Sequence, residues 1–462
     1  LKHDTKELDK LIESYSGEMV EKLQEFLRIP SVKEDALPGM PFGKPINDAV
    51  LYIEKLLNDI GFDAKNYDGY AVSADYGEGK EVMGVLAHMD VVPALGKWTY
   101  PPFEAQIADG KIYARGASDD KGPVMCSIFA LKAIKDAGIK LNKRKCRLLF
   151  GTDEESGWEG IKYYETKEKL PDIGFSPDAG YPVINSEKGL YQAVIKKQFT
   201  DKTRGILELK GGSRANIVPD IATAKVVMGA GLIKGMEIAA KEMGVGFSYK
   251  TEEDVYEIEV TGKGAHASTP EAGKNAVTAL LSLLAMYNIP NDQQNKAIKQ
   301  FVEKIGMQYN GQNLGIDVKD ESGNLTLNVG IADITAEHFE ITIDIRYPRS
   351  LTGAEVTKKI KEALSEFEVI NKADKAPHFV SEDNELVRTL LNVYTTYTGK
   401  KGYTVAIGGG TYARALPIGV SFGPGFPGEP EVMHQVDEYE KIDHLILNTK
   451  MIAAAIVELC AE

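Results

Sequence analysis

Cysteine is scarce in this sequence: Cys126, Cys146 and Cys460 are the only three in 462 residues. So few and so scattered, they exclude a disulfide framework and a thiolate metal cage, and they favour a reducing compartment. Long apolar runs are missing too, since no stretch approaches the ~20 residues of a membrane-spanning helix. The opening LKHDTKELDK is charged from the start. No targeting or anchoring signal is expected, no membrane partner, and a cytoplasmic location. Positive charge is in deficit, with 54 Lys and Arg against 68 Asp and Glu, a formal charge of -14 and a pI near 5.2. A phosphate backbone needs clustered basic side chains, so a nucleic-acid partner is excluded. Short repeats, low-complexity segments and phosphate-loop fingerprints are absent as well. IGGGTYAR, Ile407 to Arg414, has neither the Lys-Ser/Thr ending nor the spacing of such a loop.

What is present suits large cores: 43% of residues are hydrophobic, and the length accommodates more than one domain of ~100–200 residues. Residues 5–28 and 45–60 place Leu8, Leu11, Ile12 and Leu51, Ile53, Leu56, Leu57 at helical spacing, predicting two amphipathic helices. EVMGVLAHMDVV and KCRLLFGTDEE read as strands around a helix that starts near Gly122-Pro123 and stops at Gly138. After about Gly189 the texture becomes alternating strands with helices between them, as in an antiparallel α+β layer. From about Ala376 the α/β texture resumes. The prediction is a discontinuous α/β domain, a mixed sheet flanked by helices, over 1–188 and 376–462. An α+β domain is inserted at 189–375.

Polar groups end several of the apolar strands: His88 and Asp90 in LAHMD, Asp153, Glu154 and Glu155 in FGTDEES, and Asp178 in FSPDA. Asp119 and Asp120 in ARGASDDKG and His434 in EVMHQVDEY join them. Ligands of open α/β sheets gather beyond the carboxyl ends of the strands, so these groups are expected to meet. Imidazole and carboxylate without thiolate suit Zn²⁺, Mn²⁺ or Co²⁺ with positions left open for water. Any one of these residues alone would read as a solvated cap or a structural histidine. His3, His338, His378 and His444 stand outside such motifs and are read as surface or structural.

HMDVVP, GASDDKGP, GTDEESGW, FSPDA and MHQVDE, in that order, resemble the M20 metallopeptidases, and most closely the PepV-type dipeptidases among them. GGSRANIVPD, GKGAHASTP and IDIRYP extend the resemblance into the insertion. It implies a site for two divalent ions, Zn²⁺ first and Mn²⁺ or Co²⁺ as alternatives. Asp119 would bridge them, with His88 and Asp178 completing one set of ligands and Glu155 and His434 the other. Three ionised carboxylates leave two divalent ions with residual positive charge, enough to acidify a bridging water as the attacking nucleophile. Glu154 is the expected general base, because neighbours along an extended strand end point in different directions. Asp90 is expected to hold the His88 ring through its carboxylate. The resemblance also implies a cis Asp119-Asp120 peptide.

By the same resemblance the insertion is a lid that reads substrate, with His266 polarising the scissile carbonyl and Asn216 and Arg346 gripping a carboxylate. An imidazole donor can stabilise an oxyanion, and an arginine fork fits an α-carboxylate. Gly410 and Thr411 are expected near the same carboxylate. The implied activity is hydrolysis of unblocked dipeptides by a monomer, with small peptides as partners. The alternative is deacylation of N-acyl amino acids by the same metal chemistry.

Overall fold

The computed structural model describes every residue, Leu1–Glu462. The chain divides into two compact units. One comprises Leu1–Asn185, Phe379–Val405 and Gly410–Glu462; the other comprises Ser186–His378 and Ala406–Gly409. Sequence texture left 406–409 with the first domain. They cluster instead with the second, where the Arg346 guanidinium donates through Nη1 to the Gly408 carbonyl at 2.9 Å.

The first unit is built on a mixed sheet. Its strands lie side by side in the order Lys65–Asn66, Ala71–Tyr76, Arg144–Gly151, Glu81–His88, Ile173–Ser176, Gly419–Ser421, Val183–Glu187. The four from Arg144–Gly151 to Gly419–Ser421 run parallel, and their neighbours on either side are antiparallel. Parallel strands are covered on both faces, so they are apolar almost throughout. Glu81–His88 is accordingly buried from Met83 onward. His88 lies opposite Gly151 in the register, so the acidic run after Gly151 begins beside His88.

Helix Lys121–Asp136 is buried along nearly its whole surface and packs against Ile442–Cys460, which is buried from Leu445 with few interruptions. Neither they nor any other helix is long and apolar enough to cross a membrane. At the start of Lys121–Asp136 sits a fully buried lysine. Lys121 donates through Nζ to the carbonyls of Phe26 (3.0 Å) and Ile29 (2.5 Å), at the end of helix Ser16–Leu27. The same carbonyls also accept backbone N–H groups, Phe26 from Ile29 at 3.2 Å and Ile29 from Ser31 at 2.9 Å. Burial pulls the lysine down to about 7.

The predicted helix over 5–28 is in fact two, Lys6–Ser14 and Ser16–Leu27, broken at Tyr15. There the Tyr15 N–H is shared between the carbonyls of Leu11 (3.2 Å) and Ile12 (3.1 Å), and the hydroxyl reaches out to Asp136 at 2.6 Å.

The second unit holds an antiparallel sheet in the order Gly246–Glu252, Val255–Thr261, Ile221–Val227, Ile206–Gly211, Thr326–Thr335, His338–Tyr347, Gly189–Gln198, Glu368–Lys375. Ala222, Ala224 and Val226 face inward along one strand, as do Tyr256, Ile258 and Val260 along the next. They pack with helix Ala276–Ala285 in a core of their own. This alternation is what one covered and one wet face require.

Candidate metal centre

The parallel strands deliver their polar termini to one edge of the sheet. His88 ends Glu81–His88, the run Asp153-Glu154-Glu155 follows Arg144–Gly151, and Asp178 follows Ile173–Ser176. Asp119 and Asp120 lie at the N-terminus of helix Lys121–Asp136, joined by a cis peptide. His434 comes from a loop and holds φ at 63°.

Asp119 stands between the two imidazoles. Its Oδ1 is 3.0 Å from His88 Nε2, and its Oδ2 is 2.9 Å from His434 Nε2. Glu155 Oε1 is also 2.9 Å from His434 Nε2, and Asp178 Oδ2 is 3.7 Å from His88 Nε2. Potential ligand atoms of His88, Asp119 and Glu155 lie within 4.8 Å of one another, as do those of His88, Glu154 and Asp178. His88, Asp119 and Asp178 are deeply buried, with side chains 1%, 8% and 8% exposed. Glu155 is nearly so, and His434 is half exposed.

Asp90 works differently from expectation. His88 Nδ1 lies 2.9 Å from the Asp90 main-chain carbonyl and 3.5 Å from its carboxylate, so the closer holder of the ring is the backbone. The carboxylate is engaged elsewhere. It accepts the Glu154 N–H on Oδ1 and the Glu155 N–H on Oδ2, both at 3.2 Å. Buried Asp90 therefore fixes the backbone on which the proposed base and a proposed ligand sit. The turn is pinned again by Asp153, whose carboxylate receives Lys33 Nζ at 2.6 Å, the Ser156 hydroxyl, and the Glu159 N–H at 3.2 Å. Tyr412 packs edge-on to both His88 and Trp158, which places Trp158 beside the site.

Burial opposes a charged imidazole at His88, yet the carboxylates of Asp178, Asp119 and Asp90 outweigh it and hold its pKa well above the usual value. His434, against the same opposition, is raised to about 11 by its bonds to Asp119 and Glu155. Burial and then the Asp119 charge lift Glu155 to about 7, and burial lifts Asp178 to about 6. Glu154 and Asp120 are pushed upward by burial and then by Asp178. Only Asp119 is lowered: burial would raise it, but His434 and His88 prevail. With no cation the cluster relieves its crowded negative charge by holding protons, on acids and imidazoles alike. A divalent ion with nitrogen and oxygen ligands would replace those protons, so the donor set fits such ions.

The sequence matches peptidase family M20/M25/M40 over residues 84–458. The chain belongs to this family. This M20-family protein is a metal-dependent peptidase, and its family implies divalent ions. It is 41% identical over 456 residues to "Putative dipeptidase YtjP" of Bacillus subtilis (strain 168), covering 96% of this chain and 97% of that one. It is 35% identical over 466 residues to the "Beta-Ala-Xaa dipeptidase" of Lactobacillus delbrueckii subsp. lactis, covering 97% of each. Among solved structures the dipeptidase Dug1p of Saccharomyces cerevisiae shares its fold at TM-score 0.61, 14% identity, and 100% and 99% coverage. Human carnosine dipeptidase 1 does so at 0.59, 15%, and 98% of each chain.

The other predicted residues of this M20 chain lie as follows. In the second unit, Ala265–His266 pairs with Ile217–Val218, and the Ala267 N–H bonds the Asn216 carbonyl at 2.9 Å, so His266 and Asn216 share one ribbon. His266 Nδ1 accepts the Ser268 N–H at 3.2 Å, which leaves Nε2 to carry the proton of the neutral ring. Arg346 is buried and gives its fork to Asp344, with Nε–Oδ1 at 2.6 Å and Nη2–Oδ2 at 3.2 Å. In the first unit Gly410 is exposed, whereas Thr411 is buried and caps the turn Tyr412–Ala415 by accepting the Ala413 N–H. Sequence reasoning missed Lys33, Arg115 and Glu438 near the ligands. The only signal for the latter two was their place inside ARGASDDKG and MHQVDE.

Proposed function

We propose that the protein hydrolyses unblocked dipeptides using two divalent ions, Zn²⁺ by preference, with Glu154 as general base. The observation that carries this reading is Asp119 turned with one oxygen to each imidazole, beside a turn in which Asp90 fixes both Glu154 and Glu155. The substrate class is supported by full-length similarity to proteins named as dipeptidases.

His88 and Asp178 would hold one ion, Glu155 and His434 the other, and Asp119 both; Mn²⁺ and Co²⁺ accept the same donors. Bound there, such ions supply Lewis acidity toward a carbonyl and lower the pKa of water. Glu154 takes a proton from the attacking water and passes it to the leaving amine. Asp90 keeps Glu154 aimed by gripping its backbone. His266 is assigned the scissile carbonyl, with Nε2–H as donor, and Asn216, Arg346, Gly410 and Thr411 the substrate's carboxylate end, a role for which Arg346 would have to turn part of its fork away from Asp344. Three free, buried cysteines support a reducing, cytoplasmic setting.

The test is a panel of dipeptides, β-alanyl dipeptides, tripeptides and N-acetyl amino acids, assayed before chelation, after it, and after return of each metal. Dipeptides should be cleaved fastest, and only with metal present. Faster cleavage of the N-acetyl compounds would transfer the reading to a deacylase. E154Q should bind metal as the wild type does and lose turnover; retained turnover would remove Glu154 from its role.

A further inference from the structure

Arg115 follows strand Lys111–Tyr113, and Glu438 precedes strand Tyr439–Lys441. The two strands pair with Tyr439 opposite Tyr113, and the Ala114 N–H continues the pairing by donating to the Glu438 carbonyl at 3.0 Å. This register brings the side chains together out of water. Arg115 Nη1 donates to Glu438 Oε2 at 2.7 Å, with the side chains 3% and 0% exposed. Glu438 then reaches one way, accepting on Oε1 the N–H groups of Ser118 (3.0 Å) and Asp119 (3.1 Å). Arg115 reaches the other way, donating to the carbonyls of Gln435 (3.2 Å) and His434 (3.4 Å). Its guanidinium lies 5.0 Å from the centre of the Trp98 ring, which restricts where the fork can point.

We infer that the Arg115–Glu438 pair is a positioning device that sets the separation of Asp119 from His434, and so controls binding of the ion that His434 and Glu155 hold. This rests on the two-ion reading proposed above. A buried ion pair is weak grounds for stability, because desolvating both charges offsets much of their attraction. Its bonds to both ligand-bearing segments give this pair another use. His434 needs one, since it is half exposed and its left-handed backbone is one that a non-glycine residue keeps only when its surroundings hold it. The ion held by His434 and Glu155 should be affected more, because Asp119 serves both ions but His88 and Asp178 are placed by the strands of the sheet.

The experiment titrates chelated full-length protein with Zn²⁺ by calorimetry and with Co²⁺ by visible absorption, comparing wild type, R115K, E438Q and H434A. R147K serves as control: buried Arg147 pairs with the partly exposed Asp75, and the pair bonds no ligand segment. H434A identifies the affected binding event by losing it. R115K and E438Q should weaken that same event by ~10–100-fold and the other distinctly less, as for groups that orient metal ligands. R147K should lower the melting temperature and leave both events intact. Unchanged affinities in R115K and E438Q, or equal weakening of both events, would overturn the inference. W98L, which removes the stacking face along with the indole N–H bond to the Leu95 carbonyl, should act more mildly in the same direction and decides the matter if the charged variants do not fold. A wild type that binds a single ion would overturn the two-ion reading itself, before any variant is compared.

Discussion

Replacing Asp90 by Asn keeps the shape of the side chain and turns one acceptor oxygen into a donor. In the native protein the two oxygens accept separate backbone N–H groups, from Glu154 and Glu155, and the residue is buried. The amide can satisfy one of them; the other meets an NH₂ group. A hydrogen bond to a charged group contributes ~1.5–3 kcal/mol, and an N–H left unsatisfied away from water costs ~1–3 kcal/mol. These figures describe the same loss, so D90N should disturb the turn by ~2–3 kcal/mol. If that appears as misplacement of Glu154, kcat falls by roughly 30–150-fold, since ~1.4 kcal/mol is tenfold. The His88 ring should stay in place, because its nearer partner is the Asp90 carbonyl, which the substitution retains. Steady-state kinetics on a dipeptide should therefore show kcat falling more than KM rises, with metal content near wild type. Urea unfolding run alongside separates misplacement from loss of folded protein. A D90N enzyme within twofold of wild-type kcat, or one whose loss matches its unfolded fraction, would refute the reasoning.

Three other outcomes follow from buried groups. The cysteine thiols are all buried, and burial raises Cys126, Cys146 and Cys460, the last to about 12, so disulfide reagents should find no reactive thiol in native protein and all three in denaturant. Glu440 is raised from 4.5 to about 8 by burial, so the folded state holds its proton more tightly than the unfolded state does. That contribution is complete below about pH 4.5 and is lost as pH rises through about 8, on the order of a few kcal/mol. E440Q should flatten this fall in urea midpoints between pH 5 and 9, and an unchanged slope would contradict it. Removing metal should lower the melting temperature, because a ligand at 100 times its dissociation constant stabilises by ~2.7 kcal/mol, and binding should release protons measurable in weakly buffered solution.

The clustering of the proposed ligands was legible because chemistry and topology coincide in it: His88, Glu155 and Asp178 each stand at or just beyond the end of an apolar strand, where buried runs give way to charge. Asp90 was legible only in part. Spacing placed it on the same face as His88, but the destination of its carboxylate depends on how the 153–157 turn closes, and Asp153 with φ at 61° closes it in a way no periodicity announces. Lys33, Arg115 and Glu438 were invisible for a related reason, since each earns its place through a partner distant in sequence. Strand Gly246–Glu252 carries no signal of its own, because almost all of it is exposed and no alternation of apolar and polar residues marks it. The break at Tyr15 lay inside a pattern whose helical spacing continues on both sides.

The interleaving of the chain bears on when the enzyme can first act. Strand Gly419–Ser421 pairs in parallel with Ile173–Ser176, and His434 lies later still. Both leave the ribosome only after the whole of Ser186–His378 has been made. A nascent chain that has already folded its first strands around His88, Asp119 and Asp178 thus lacks the loop that faces Asp119 from the other side. Hydrolytic competence waits for residues made after the insertion, so an aborted chain ending anywhere in the insertion cannot act on peptides in the way proposed.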